Sequence, residues 1–162
     1  MRILGASATV LFLLSVGMTA AQEQVVPVDK LPSAVLKAVK KRFPTADLKQ
    51  AKRVIDDDET TYEVELKLKG KQIDMVLTPE GDITEISIEI DEAKIPKAVA
   101  KTLADKYPKA SIEDATVVFN VVKGKETLSY FEIEIITTDD RTLILEIAPS
   151  GNVRKETRKD KK

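Results

Sequence analysis

The side chains of this sequence best placed to do chemistry are carboxylates set at alternate positions in two matching segments. Tyr62-Glu63-Val64-Glu65-Leu66 and Phe131-Glu132-Ile133-Glu134-Ile135 interleave acids with apolar residues. In an extended strand successive side chains point to opposite faces, so Glu63, Glu65, Glu132 and Glu134 are predicted to stand together on the side away from the apolar set. The same alternation adds Asp74, Glu89 and Glu146 to that face, with only Lys67 and Lys69 against them. Paired carboxylates can work as general acid and base when burial drives their pKa values apart, but nothing in the sequence supplies a dry pocket for that. A row of acids also suits a basic or cationic partner surface, and it equally describes a solvated strand face that discourages edge-to-edge pairing. The four glutamates are therefore candidate partner-binding residues, and no catalytic residue is predicted.

Composition narrows the chemistry further. The 162 residues include no His, no Cys and no Trp, which removes an imidazole base, a thiol nucleophile, haem ligation and an ordinary zinc site. Lys and Arg number 26 against 27 Asp and Glu, a balance that argues against nucleic-acid binding through phosphate contacts. Asp56-Asp57-Asp58-Glu59 lacks the alternating oxygens, the sixth-position Gly and the closing Glu of a calcium loop. It reads as a solvated hairpin, since the equivalent turn in the second half, Lys123-Gly124-Lys125-Glu126, has the opposite sign. No phosphate-binding loop, nucleophile elbow or zinc-protease motif occurs. The expectation is a non-enzymatic protein without cofactor or metal.

The elements that must hold the carboxylates repeat. Leu31-Pro32-Ser33-Ala34-Val35-Leu36-Lys37 returns as Ile95-Pro96-Lys97-Ala98-Val99-Ala100-Lys101, and Arg42-Phe43-Pro44-Thr45-Ala46 as Lys106-Tyr107-Pro108-Lys109-Ala110. The glutamate segments follow, and then Thr78-Pro79-Glu80-Gly81-Asp82-Ile83 returns as Ala148-Pro149-Ser150-Gly151-Asn152-Val153. The offset grows from 64 (31 to 95) to 69 (62 to 131) to 70 (78 to 148), which places insertions near Val122–Thr127 and Asp139–Arg141, at turns where they are tolerated. Each copy opens with a helix: Leu31, Ala34, Val35, Ala38, Val39 and Phe43, like Ile95, Ala98, Val99, Thr102, Leu103 and Tyr107, follow helical spacing. Pro32 and Pro96 fit the first turn, and Pro44 and Pro108 end the helix by restricting the residue before them. A β segment follows each helix, Leu48–Ile55 and Ile112–Val122. Then come alternating runs about Tyr62–Leu68, Ile73–Leu77 and Ile86–Ile90, mirrored by Phe131–Ile135 and Leu143–Ile147.

The prediction is an α+β fold of two tandem α-β-β-β-β repeats, with the helices packed on one face of antiparallel sheet. One copy of about 60 residues is marginal alone, so the two are expected to pack side by side as one body with a shared core. The boundaries read as 1–21 signal peptide, 22–30 linker, 31–90 first repeat, 91–156 second repeat and 157–162 basic tail. Met1-Arg2, the apolar run Ile3–Met18 and the small residues Thr19-Ala20-Ala21 make the three parts of a secretory signal. A cut after Ala21 predicts a periplasmic or secreted chain with no integral membrane segment; an uncleaved anchor is the rival, as Ile3–Ala21 nears the shortest membrane span. With no Cys for disulfides, stability must come from packing. Lys40-Lys41-Arg42 suits a helix C-terminus, and the cations from Arg154 to Lys162 read as a frayed end or a weak anionic docking segment.

The pattern resembles the PepSY-like family related to the β-lactamase inhibitor protein. It is carried by Leu31-Pro32 with Ala34-Val35, Phe43-Pro44 with Ala46, Tyr62-Glu63-Val64-Glu65 and Pro79-Glu80-Gly81-Asp82, and by the second set from Ile95 to Val153. The resemblance implies secreted or periplasmic proteins with helices on one side of an antiparallel sheet and a polar face left open. It also implies association with peptidase inhibition or sensing. In the inhibitor the open face grips an enzyme with aromatic and charged anchors; this chain has no Trp, and most of its Phe and Tyr are expected in the core. The function expected is a protein- or peptide-binding module. The alternative is a periplasmic sensor or ligand-binding module that uses the acidic face for cations or basic peptides.

Overall fold

Two prolines and one apolar stripe define each helix. The computed structural model describes residues 22–56 and 59–159. The expected signal peptide with its cut after Ala21, the Asp57-Asp58 pair of the acidic turn, and residues 160–162 of the basic tail lie outside them. Helix α1 (Ser33–Arg42) follows extended Pro32, and α2 (Lys97–Lys106) follows extended Pro96. Both end at an aromatic, Phe43 or Tyr107, whose backbone leaves the helical region just before a proline, as the steric clash with the proline ring requires. The stripe buries Val35 and Val39 on α1, and Val99 and Leu103 on α2.

Strands β1 (Gln22–Val25), β2 (Asp47–Asp56), β3 (Glu59–Leu68), β4 (Lys71–Leu77) and β5 (Ile83–Glu89) make the first half of the sheet. Strands β6 (Ser111–Val122), β7 (Lys125–Ile136), β8 (Thr142–Ile147) and β9 (Val153–Lys159) make the second. All nine form one antiparallel sheet in sequence order. Lys69-Gly70 and Lys123-Gly124 turn two of the hairpins with positive φ at both residues, the turn whose twist matches the flanking strands. The predicted α+β architecture, with helices on one face of an antiparallel sheet, is the architecture observed.

Two segments differ from expectation. Gln22–Val25, read as linker, forms edge strand β1, with Gln22 opposite Ile55 and Val25 opposite Lys52. All four residues are exposed, so backbone pairing holds this strand and leaves no apolar pattern to read. At the other edge β9 carries the chain through Arg158 and Lys159, opposite Leu143 and Thr142, where long cationic side chains keep their tips in water.

The core also departs from the shared one expected. One apolar cluster gathers Val35, Val39, Val64, Met75 and Ile86 beneath α1, and a second gathers Val99, Leu103, Ile133, Leu145 and Ile147 beneath α2. Each helix lies mainly over the strands of its own repeat. The clusters trade single residues across the seam: Val121 of β6 belongs to the first, and Ile90, just after β5, packs on the second. Above the seam, the Arg42 guanidinium at the end of α1 donates to both carboxylate oxygens of Glu126 on β7, at 2.9 and 3.2 Å.

Candidate functional site

The sheet face opposite the helices holds a shallow cleft of about 580 Å³ that spans β2 to β7 and so straddles the repeat seam. Strand register decides what lines it. Glu63 lies opposite Val76, which lies opposite Glu85; in the next row Glu65 faces Asp74, Asp74 faces Ser87, and Ser87 faces Val118. Val118 in turn faces Tyr130. A third row runs from Glu89 through Thr116 and Glu132 to Glu146. Seven carboxylates line the cleft, those of Glu63, Glu65, Asp74, Glu85, Glu89, Asp114 and Glu132, against one cation, Lys52. Lys52 is itself taken by Glu23 at 3.1 Å.

This surplus shows in the titration of the acids. Burial pushes the Asp74 carboxyl up, as do Glu65 and Asp114, against a hydrogen bond donated by Gln72. Burial likewise raises Glu85, helped by Glu132, Glu63 and Glu146. Glu132 rises through burial and then through Glu146 and Asp114, with Lys155 opposing. Glu89 goes the other way, held down by the Gln72 backbone N–H and the Lys71 ammonium. Tyr130 is pushed up to about 12, by burial first and then by Glu85, Glu146 and Glu132.

The raised carboxyls set a direction for stability. Their unfolded forms ionise first, near 3.8 for Asp and 4.5 for Glu. In that window the native state holds more protons than the unfolded one, so these three groups cost stability as pH rises through their unfolded and then their folded values. An Asp74→Asn/Glu85→Gln/Glu132→Gln variant should therefore match the parent near pH 4 and exceed its melting temperature near pH 7. Paired melts at the two pH values check this, and equal gains at both would refute it.

Three of the four glutamates singled out from sequence come together. Glu63, Glu65 and Glu132 line the cleft. Glu134 stands beyond it, opposite Asp114 and Ile144, with its carboxylate held by Lys159 at 2.9 Å. Glu85, Asp114, Lys52 and Tyr130 escaped sequence reasoning. Glu85 needed only one more step of the alternation of Ile86 and Ile88, and Tyr130 one step back from Phe131. Asp114 carried no signal: a register shift between Ile112 and Asp114 turns it to the open face, against the parity that Ile112 sets.

Comparison with known proteins places this geometry. A family model described as "Putative beta-lactamase-inhibitor-like, PepSY-like" matches twice, over residues 17–85 and 78–153. The chain belongs to that family. The two matches of the PepSY-like model correspond to the two tandem repeats. No curated protein matches the sequence. Among solved structures, one from Bacteroides eggerthii described as "putative periplasmic proteins" is 17% identical, with a TM-score of 0.62 over 78% of this chain and 88% of its own. A BLIP-like protein from Bacteroides fragilis is 15% identical, with a TM-score of 0.56 over 77% of this chain and 84% of its own. Both structures share the fold of this PepSY-like chain, at identities that speak to fold alone.

Proposed function

We propose that this PepSY-like chain is an exported, non-enzymatic binding module whose open sheet face docks a basic segment of a protein partner. The observation that carries the reading is the cleft: seven carboxylates, one already engaged lysine, and three acids whose ionisation the fold itself resists. An incoming cationic segment relieves that repulsion, and complementary charge steers the encounter. Among the described residues no three acidic side chains converge closely enough to hold a metal ion, so charges spread along a peptide fit the face better than a single cation does. Export is supported by the signal-like first 21 residues and by the periplasmic description of the B. eggerthii structure. No helix among the described residues is long and apolar enough to cross a membrane.

The test is titration of the protein with an end-blocked penta-arginine peptide at low and physiological ionic strength. Binding should weaken with salt, and a Glu63→Gln/Glu65→Gln/Glu132→Gln variant should weaken it further, chiefly by slowing association. Glu134→Gln should leave affinity nearly unchanged, because Lys159 already neutralises that carboxylate. Affinity indifferent to the triple variant at both salt concentrations would return the face to a solvated surface.

A further inference from the structure

The cleft is not uniformly acidic. Across the seam Val118 lies opposite Tyr130 on the open face and is only 2% exposed. Tyr130 stands beside a β-bulge: Val118 pairs with Tyr130 and Phe119 with Leu128, leaving Ser129 as the extra residue, and bulges re-aim the side chains next to them. With Val76 these residues form an apolar floor in the middle of the cleft. Around the ring stand Glu85 from the first repeat and Glu132 from the second, both close enough to act on the Tyr130 phenol. The first repeat has no such ring, since Phe131 matches Tyr62 and the residue before Tyr62 is Thr61. The protein's own guanidinium already visits the rim: Arg154 Nη1 donates to Ser129 Oγ at 3.4 Å.

We propose that Tyr130 is the anchor point for one arginine side chain of the partner, which stacks its guanidinium on the ring between Glu85 and Glu132 and lays its stem along Val118. The proposal rests on the docking reading above and narrows it to one residue type at one place. Arginine fits better than lysine because its plane stacks on an aromatic face, pairs with carboxylates in a fork and gives up water more easily. Like any tyrosine near neutral pH, Tyr130 carries no charge of its own. The asymmetry between the repeats gives the face a single anchor, and hence a single register for the bound segment.

End-blocked penta-arginine and penta-lysine peptides are titrated at low salt into wild type, Tyr130→Leu, Tyr130→Phe, Arg154→Gln and Glu63→Gln/Glu65→Gln, with the Tyr130 ring resonances followed by NMR. Tyr130→Leu should weaken penta-arginine about tenfold, the scale of a partly desolvated cation–π contact, and should weaken penta-lysine less. Tyr130→Phe should stay within about twofold of wild type, because the ring face and not the hydroxyl makes the contact. Arg154→Gln should tighten binding by removing the resident cation, and the Tyr130 resonances should shift on titration. If Tyr130→Leu binds as wild type while Glu63→Gln/Glu65→Gln weakens binding, the anchor is wrong and the docking face stands. If penta-arginine does not bind wild type, both fail. A Tyr130→Phe variant as weak as Tyr130→Leu also overturns the stacking. Should Tyr130→Leu not fold, ring resonances unmoved by saturating peptide would decide against the proposal by themselves.

Discussion

Gly81→Ala and Gly151→Ala should each destabilise the protein by about 3 kcal/mol or more, while Gly70→Ala costs only about 1 kcal/mol. All three glycines have positive φ, at +89, +92 and +85°. A left-handed conformation costs an L residue roughly 1–2 kcal/mol wherever it occurs. The difference lies in what the new methyl meets. At Gly70 there is nothing within 4 Å; at Gly81 the Cβ would stand 2.6 Å from the Ala34 carbonyl oxygen, and at Gly151 2.7 Å from that of Ala98. Those atoms belong to the backbones of α1 and α2, so neither can move aside without shifting a helix off its core, and overpacking of this kind adds about 1–3 kcal/mol. At Gly151 the turn is also tied to the helix directly, because Thr102 Oγ1 donates to the Gly151 carbonyl at 2.6 Å. Thermal melts should show drops on the order of 10 °C for the two docked glycines. Equal, small drops at Gly70, Gly81 and Gly151 would mean that the turns do not bear on the helices.

That docking explains why so much of the fold is legible in the sequence. Pro79-Glu80-Gly81 and Pro149-Ser150-Gly151 recur because a turn must press against a small helical residue, Ala34 or Ala98, and only glycine lets the backbones approach so closely. The helix limits are legible because prolines set them, and β3, β4, β7 and β8 because one face is buried and the other wet. Three things are not legible, each for a physical reason. Strand β1 is held chiefly by backbone pairing, and backbone bonds leave no mark in residue type. The bulges at Glu113 and Ser129 change parity inside a strand, so alternation counted from one end misplaces Asp114. The split core depends on how far each helix reaches across the sheet, which periodicity does not encode. Within the candidate site the glutamates at alternate positions are legible. Their grouping is not, because which acids share the cleft depends on register across six strands. Glu134, by contrast, is drawn to Lys159 of the edge strand.

Val35→Asp should cost on the order of 3–5 kcal/mol, as should Val99→Asp, and each should unfold both repeats in one transition. Both valines are fully buried, one in each apolar cluster, and no polar or charged residue among the described ones is buried as a whole to receive a carboxylate. The loss would stay local if the clusters were independent, and their separation under two helices invites that expectation. The sheet argues the other way. Strands β5 and β6 pair without interruption from Glu85–Asn120 to Glu89–Thr116, and the Ile90 N–H continues the ladder to the Ala115 carbonyl at 2.8 Å. Val121 of the second repeat completes the first cluster, and Ile90 of the first repeat covers the second. Losing the first cluster would thus bare one side of β6 and uncover the second core, in a unit of about 60 residues with little stability to spare. Urea unfolding of Val35→Asp followed by circular dichroism, with hydrogen exchange read at the amides of Ile133 and Leu145, separates the outcomes. A single transition, with protection lost together in β3–β4 and β7–β8, is expected; protection that persists in β7–β8 after β3–β4 has opened would show two domains that merely share a sheet.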